Sequence, residues 1–251
     1  MNQQFIIISG MHRSSTSLIT QYLQLCGVAL GENLLQAFTD NLDGYFENKT
    51  IVSLHQQLIN EQKHNLFTCP IQTTYTDAAK QTLLKEVDLL TNSGPIFAYK
   101  DPRNCLFLQP LTELFSDAKH ILLYRDYRQV IDSLIRRGTD KEIKQKPWLA
   151  AQAWINYNTY LLNHFKRNRG NCLLFKDYSF IHNAQGCIQL INAHFNINLT
   201  LEPMKKIYKP NLTKRDDKYQ WKTRLICKIY HRRLESLKLE LEQCASIKNN
   251  I

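Results

Sequence analysis

The chain begins with a buried-strand pattern that passes through a short polar loop into a helix pattern. Residues 5–8 are Phe, Ile, Ile and Ile, an apolar, β-branched run that predicts a buried strand. The run breaks at Gly10, and apolar residues return at helical spacing from Leu18. A small-residue loop of this kind holds phosphate-like anions, because backbone N–H groups and the helix dipole face the anion. We therefore predict that this end of the chain binds a phosphorylated or sulfated group.

The loop at residues 10–17 differs from the loop that binds nucleoside triphosphates. That loop needs a second glycine followed by a lysine that reaches the β- and γ-phosphates. Here Ser15 stands at the glycine position and Thr16 at the lysine position, and the cation is Arg13. A guanidinium flanked by hydroxyl groups suits one terminal anion held without a metal. The alternative is an ordinary strand-to-helix turn in which Ser14 or Ser15 caps the helix.

Strand patterns alternate with helix patterns along most of the chain. The predicted strands are residues 5–8, 96–99, 121–124 and 172–175, with 27–31 as a short edge strand. The predicted helices are residues 51–58, 78–90, 106–114, 129–137, 148–165 and 184–195. This alternation predicts an α/β fold, a three-layer sandwich with a central, mostly parallel sheet.

Ligands bind such sheets at the carboxyl ends of the strands. We therefore expect residues 10–17, residues 100–103, Arg125 and Lys176 to lie along one rim of the sheet. The separate motifs would then form one site.

The composition is that of a single globular domain over residues 1–251. Hydrophobic residues make up 43% of the chain, which is enough for one sizeable core. No apolar run approaches the ~20 residues of a membrane helix. No signal-peptide pattern is visible, so we expect a cytoplasmic protein. The seven cysteines and eight histidines are scattered, which favours free thiols and predicts no metal site.

The net charge of +10 is concentrated towards the C-terminal end. Residues 205–251 carry 13 Lys and Arg against 5 Asp and Glu. Within this region, residues 219–244 predict one basic amphipathic helix. Its apolar face comprises Trp221, Leu225, Ile229, Leu234, Leu237, Leu241 and Cys244. Such a helix either packs on the core or a partner, or lies on an anionic membrane as a peripheral contact. No nucleic-acid-binding motif is visible, so we expect no nucleic-acid partner.

Four motifs, in this order, resemble the PAPS-dependent sulfotransferase superfamily. PAPS is 3′-phosphoadenosine 5′-phosphosulfate, the sulfuryl donor. The motifs are Gly-Met-His-Arg-Ser-Ser-Thr-Ser at 10–17, Asp-Gly-Tyr-Phe-Glu-Asn at 43–48, Lys-Asp-Pro-Arg at 100–103, and the strand-Arg-helix segment at 122–134. The first matches the loop of bacterial sulfotransferase-family proteins except at Ser15, where glycine is usual. The resemblance covers roughly residues 4–180 and implies a P-loop NTPase-like sulfotransferase fold.

The resemblance also implies where the donor binds. It assigns the 5′-phosphosulfate to the loop residues Gly10, His12, Arg13, Ser14, Ser15, Thr16 and Ser17. It assigns the 3′-phosphate to Arg125 and Ser133, with Lys214 and Arg215 in a basic loop that closes over it. His12 is either a donor contact or a structural residue. Trp154 and Tyr157 either border the adenine or belong to the core.

The acceptor must lose a proton during transfer, so a general base is needed. Glu47 is the first candidate, and its alternative role is a helix N-terminal carboxylate. His55 and Asp101 are substitutes for it. Arg13 would stabilise the leaving phosphate, and Lys100 or Arg103 would offset charge on the transferring group. The alternative role of Arg103 is to pair with Asp101 and brace the strand end.

The resemblance implies a sulfotransferase that moves the sulfuryl group from PAPS to an acceptor hydroxyl and releases PAP. It makes a glycan or glycolipid sugar the expected acceptor, with residues 60–77 and 138–148 as acceptor loops. Two other functions stay open. One is a P-loop kinase or NTPase. The other is a non-catalytic protein that binds an anionic polymer through the basic C-terminal region.

Overall fold

A computed structural model of the chain describes residues 3–36, 44–62, 64–68, 74–138, 140–208 and 219–247. At its centre is a four-stranded sheet in the order β2-β1-β3-β4, in which every pairing is parallel. The strands are β1 Gln4–Gly10, β2 Ile96–Lys100, β3 Lys119–Tyr124 and β4 Cys172–Lys176. The four main predicted strands are thus confirmed, each extended by one to three residues.

Helices connect the strands and follow the last one. They are α1 Thr16–Leu25, α2 Lys49–Glu61, α3 Asp77–Thr91, α4 Leu108–Leu114, α5 Tyr127–Arg137, α6 Lys141–Gln145, α7 Leu149–Arg167, α8 Asp177–Phe195, α9 Trp221–Ile229 and α10 His231–Cys244. Short 3-10 turns cover Pro102–Leu106, Arg169–Asn171 and Met204–Lys206.

The sheet separates two apolar layers, as the alternation of side chains along β1 shows. Ile6 and Ile8 pack in the layer that contains α1 and α8, whereas Ile7 packs in the layer that contains α7. All three side chains are fully buried. A strand buried on both faces is typical of a parallel sheet covered by helices. The predicted three-layer α/β sandwich is therefore confirmed.

Two predicted boundaries are wrong for local reasons. The helix predicted over 106–114 is interrupted at Phe107, which separates the 3-10 turn from α4. The helix predicted from Ala184 begins at Asp177, directly after β4, and continues past a kink at Asn183 (φ −141°, ψ 51°). A helical pattern cannot mark such a kink, because the apolar residues keep their spacing on both sides of it.

The predicted C-terminal helix is two helices. It breaks at Tyr230 (φ −94°, ψ 6°), between α9 and α10. In α10 the predicted face is correct, because Leu234, Leu237 and Leu241 are buried in the core.

In α9 the predicted buried face is wrong. Trp221, Leu225 and Ile229 are exposed to 69%, 50% and 68%, whereas Thr223 and Ile226 are buried. The five-residue step from Ile229 to Leu234 is a turn of about 140° at 100° per residue, so the three exposed residues lie roughly opposite the buried leucines of α10. The buried side of α9 contacts α5. Asp132 accepts hydrogen bonds from the Gln220 backbone N–H at 3.0 Å and from the Thr223 hydroxyl at 2.8 Å. These bonds turn the Thr223 side of α9 inward.

Each outer edge of the sheet pairs with one residue of a neighbouring segment. On β2, Ala29 N donates to Ile96 O and Ala98 N donates to Ala29 O. This single bridge replaces the edge strand predicted over 27–31. On β4, Ser246 N donates to Leu174 O at 2.8 Å and Ser246 Oγ accepts from Leu174 N at 2.9 Å.

Candidate active site

The carboxyl ends of the strands bring the predicted motifs to one rim. β1 ends at Gly10, β2 at Lys100 and β3 directly before Arg125. A Cβ atom at Gly10 would lie 2.6 Å from the carbonyl oxygen of Leu123, so only glycine fits where β1 passes β3. Lys176, at the end of β4, is paired with Glu242 of α10 at 2.6 Å.

The loop after β1 has a strained backbone. Arg13 (φ 69°) and Ser15 (φ 60°) both adopt the left-handed conformation that favours glycine. Ser15 precedes α1 but makes no side-chain cap. Its hydroxyl instead donates to Asp177 Oδ2 at 3.0 Å. Ser15 is therefore the N-cap residue of α1 by position, but its side chain does not cap the helix. Its backbone has a conformation that favours glycine, at the position where the resemblance expects glycine.

The loop and the predicted 3′-phosphate pair touch each other. Arg13 Nε donates to Ser133 Oγ at 2.8 Å, and Arg125 Nη1 donates to the Arg13 carbonyl at 3.1 Å. Ser133 lies on α5 and Arg125 follows β3, so three separate elements contribute to this cluster. The Arg13 guanidinium thus contacts the Ser133 hydroxyl, and the Arg125 guanidinium contacts the loop backbone at Arg13. This arrangement of cations and a hydroxyl group is suited to phosphate.

Arg125 is held in place from three sides. Its Nε donates to Gln129 Oε1 at 2.8 Å and lies 3.3 Å from Asp177 Oδ2. Its carbonyl accepts a hydrogen bond from Trp154 Nε1 at 3.0 Å. Sequence reasoning missed Asp177 and Gln129. The signal for Asp177 was its place directly after β4, where polar residues of parallel sheets face the ligand rim.

Glu47 and Lys100 form a buried ion pair beside the loop. Glu47 Oε1 lies 2.7 Å from Lys100 Nζ, which is also 3.3 Å from Ser17 Oγ. The two side chains are 8% and 0% exposed. Burial raises the pKa of Glu47, and the charge of Lys100 acts against this rise. Burial likewise lowers the pKa of Lys100.

The segment that carries Glu47 is tied to the loop and to α2. Ser17 Oγ donates to the Tyr45 carbonyl at 3.2 Å, and Asn48 Oδ1 caps α2 by accepting from Ile51 N at 3.1 Å. Glu47 therefore lies near the α2 N-terminus as well as beside the loop. Both roles considered for it from the sequence are compatible with this position.

Asp101 bonds to both Arg103 and His55. Its carboxylate accepts hydrogen bonds from Arg103 Nη1 at 2.9 Å and from His55 Nδ1 at 2.8 Å. Burial alone would raise the pKa of Asp101, but Arg103 and His55 bring it well below its usual range. The predicted brace between Asp101 and Arg103 is present. Arg103 Nη1 also lies 3.6 Å from Glu47 Oε2.

His55 is bonded within the protein through both ring nitrogens. The side chain is fully buried, its Nδ1 bonds to Asp101, its Nε2 is 2.8 Å from the Tyr75 hydroxyl, and its ring stacks on Phe107 at 4.3 Å. A histidine in this state is a poor general base, because a base must reach the acceptor proton.

His12 is a neutral group in the loop. Burial, with Arg103 and Lys100 nearby, lowers the pKa of His12 to about 3. Its buried Nε2 and the buried hydroxyl of Ser14 have no hydrogen-bond partner among the described residues. Buried polar atoms of this kind normally have partners. Both atoms therefore fit a loop that contacts an oxygen-rich ligand.

Other predicted residues lie in the core or outside the described ranges. Trp154 and Tyr157 are 0% and 1% exposed on α7, as expected of core residues. Lys214 and Arg215 lie outside the described residues. Across the described ranges, no group of three His, Cys, Asp or Glu side chains is arranged to hold a metal ion. No helix in these ranges is long and apolar enough to cross a membrane.

Two solved sulfotransferase structures are similar to this chain over most of its length. The sulfotransferase domain from the curacin biosynthetic pathway superimposes with a TM-score of 0.50 at 14% identity, covering 92% of this chain and 98% of that one. A sulfotransferase from Alicyclobacillus acidocaldarius gives 0.53 at 10% identity, covering 97% and 95%. No family model matches the chain, and no curated protein matches it. The chain therefore has the sulfotransferase fold.

Proposed function

We propose that this protein is a sulfotransferase that moves a sulfuryl group from PAPS to an acceptor hydroxyl and releases PAP. The observation that carries the proposal is the contact between Arg13 and Ser133 at 2.8 Å. It joins the loop expected to hold the 5′-phosphosulfate to the residue expected to hold the 3′-phosphate. One ligand that carries phosphate at both positions would bind across this contact.

The donor would be held by cations and hydroxyl groups without a metal. Arg13, Thr16 and Ser17 would bind the 5′ end, with His12 and the Ser14 hydroxyl as further contacts. Arg125 and Ser133 would bind the 3′-phosphate, which is the group that distinguishes PAP from AMP. Asp177 and Gln129 act on this site by fixing the guanidinium of Arg125.

Glu47 is the proposed general base. It would take the proton of the acceptor hydroxyl while the acceptor oxygen forms its bond to sulfur. The bond between sulfur and the bridging phosphate oxygen breaks, and PAP leaves with that electron pair. Arg13 and Lys100 would stabilise the negative charge that develops on this oxygen. Because burial raises the pKa of Glu47, the rate should rise with pH over a range above that of an exposed glutamate.

The expected acceptor is a sugar hydroxyl of a glycan or glycolipid, and the expected location is the cytoplasm. The first expectation rests on the resemblance, and the second rests on the sequence pattern described above. A screen of candidate acceptors becomes informative once donor binding has been measured.

Donor recognition is tested by thermal stabilisation in the absence of Mg²⁺. We expect PAP to raise the melting temperature far more than AMP does, because only PAP carries the 3′-phosphate that would reach Arg125 and Ser133. Arg125→Ala should reduce the PAP shift to the AMP shift. The matched control is Arg167→Ala, an exposed arginine at the end of α7, which should keep the full PAP shift.

Two results would contradict the proposal. Equal shifts with PAP and AMP would show that the 3′-phosphate is not recognised. A shift only with Mg-ATP would favour a P-loop kinase or NTPase instead.

A further inference from the structure

An apolar stripe runs along the outer side of α9. Trp221, Leu225 and Ile229 follow one another at four-residue spacing and are exposed to 69%, 50% and 68%. Residues spaced by four lie on one side of a helix, so the stripe is continuous over about 12 Å. Single exposed apolar residues are ordinary, but three large ones in a row mark an interaction surface.

Cations flank this stripe on both sides. At 100° per residue, Lys222 lies beyond one margin of the stripe, and Arg224 and Lys228 lie along the other. All three are exposed. Residues 219–233 hold five Lys and Arg and no Asp or Glu. The outer side of α9 is therefore apolar along its centre and positive along both margins.

The inner side of α9 is fixed to the body of the protein. Thr223 and the Gln220 backbone N–H bond to Asp132, and Ile226 is buried in the core. The exposed stripe is thus not a core face left uncovered, because α9 already has a buried face on the opposite side. Its orientation is set by contacts that do not involve the stripe.

We propose that α9 docks this protein on an anionic lipid bilayer. Trp221 and its two aliphatic neighbours would enter the boundary between headgroups and acyl chains, where tryptophan is favoured. The flanking cations would meet anionic headgroups. A nucleic acid would use the cations but not the apolar stripe. A protein partner would need acidic residues around an apolar groove. This inference goes beyond the proposed reaction and is independent of it.

Sedimentation with lipid vesicles tests the proposal on the full chain. We expect the protein to bind vesicles of phosphatidylcholine mixed with phosphatidylglycerol, and to bind phosphatidylcholine alone much more weakly. Lys222→Gln and Lys228→Gln should each weaken binding roughly fivefold. The double variant Trp221→Ser/Ile229→Ser should abolish binding. Because these side chains are exposed, the variants should fold normally.

Control variants on α3 likewise remove an exposed apolar side chain and an exposed positive charge. Leu89 is 55% exposed on α3, and Lys85 is exposed on the same helix. The double variant Leu89→Ser/Lys85→Gln should bind mixed vesicles like the wild type. Tryptophan fluorescence gives an independent readout. Emission should shift to the blue on binding, and Trp221→Phe should bind while losing that shift.

Three outcomes would overturn the proposal. The first is no binding to mixed vesicles. The second is binding that the Trp221→Ser/Ile229→Ser variant leaves unchanged, which would indicate charge-driven adhesion of the kind that polyanions show. The third is concentration-dependent self-association that this variant removes, without vesicle binding, which would assign the stripe to a second copy of the chain.

Discussion

Ser15 holds a backbone conformation that glycine would adopt without strain. Its φ of 60° places it in the left-handed region, at the position where the resembling loops carry glycine. The serine has a compensating contact, because its hydroxyl donates to Asp177 Oδ2 at 3.0 Å. One residue thus combines a backbone penalty with a charge-assisted hydrogen bond.

Substitutions at Ser15 should separate these two effects. Ser15→Ala keeps the strain and loses the bond, so we expect a loss of about 1–3 kcal/mol in the free energy of unfolding. Ser15→Gly loses the bond but removes the strain. It should therefore be about 1 kcal/mol more stable than Ser15→Ala. Urea denaturation measures both, and equal stabilities would show that the left-handed position carries no penalty.

The buried ion pair of Glu47 and Lys100 is a second feature at the scale of residues. Removing Glu47 leaves Lys100 buried without its ion-pair partner, so Glu47→Gln should cost about 3–5 kcal/mol. Lys100→Met should cost less, because Glu47 keeps Arg103 at 3.6 Å. The double variant should cost much less than the sum of the two. The control is the surface pair Lys166 and Glu240, 2.9 Å apart, whose double-mutant cycle should give at most about 1 kcal/mol. Equal coupling in the two pairs would contradict the prediction.

The sequence predicts that the site residues lie close together, but it does not predict which side chains they bond to. Strand ends in a parallel sheet share one rim, so Arg13, Lys100 and Arg125 could be expected together. The bond between Ser15 and Asp177 joins residues 162 positions apart. No local pattern encodes such a pairing. The catalytic and binding roles of the site residues stay predictions.

At the scale of elements, α9 shows that apolar residues spaced three to five apart need not share one face. At 100° per residue, the five-residue step from Ile229 to Leu234 turns the chain by about 140°, so Leu234, Leu237 and Leu241 lie roughly opposite the stripe of α9. The buried side of α9 is the one that bonds to Asp132, a buried carboxylate on a different helix. The stripe is therefore exposed, although simple spacing grouped it with the buried leucines.

Asp132→Ala should loosen α9. The variant leaves the Gln220 N–H and the Thr223 hydroxyl without their acceptor, at a cost of about 1–3 kcal/mol in the free energy of unfolding. Hydrogen exchange of the α9 amides should accelerate more than that of the β1 amides. Thr223→Val removes one of the two bonds and should give a smaller effect. Unchanged exchange in α9 would show that other contacts fix its orientation.

At the scale of the whole molecule, three buried histidines should make the fold sensitive to acid. Burial lowers the pKa of His12 and of His120 to about 3 and that of His164 to about 4, from an ordinary value of 6.5. The folded protein keeps them neutral while the unfolded chain takes up protons. These histidines therefore do not change the free energy of unfolding above about pH 6.5. Below that pH they lower it progressively, as the pH drops towards 4 and 3. Each histidine contributes a slope of about 1.4 kcal/mol per pH unit within its range.

His120→Phe isolates one of these contributions. Both ring nitrogens of His120 are buried without a hydrogen-bond partner among the described residues, so phenylalanine should be tolerated at neutral pH. The stability of this variant should fall between pH 6 and 4 with a slope smaller by about 1.4 kcal/mol per pH unit. His231→Gln changes an exposed histidine and should leave the slope unaltered. Identical slopes for wild type and His120→Phe would contradict the assignment.

The two single-residue pairings at the margins of the sheet limit what this protein can associate with. A parallel sheet of four strands has two rows of unpaired backbone groups, and such rows recruit strands from other molecules. Ala29 occupies groups on one row and Ser246 occupies groups on the other. Neither residue belongs to a strand of the sheet, yet each blocks the site where a foreign strand would begin to pair. Protection against strand addition therefore depends on two short segments far apart in the chain. Loss of either segment would expose unpaired backbone groups at one edge of the sheet.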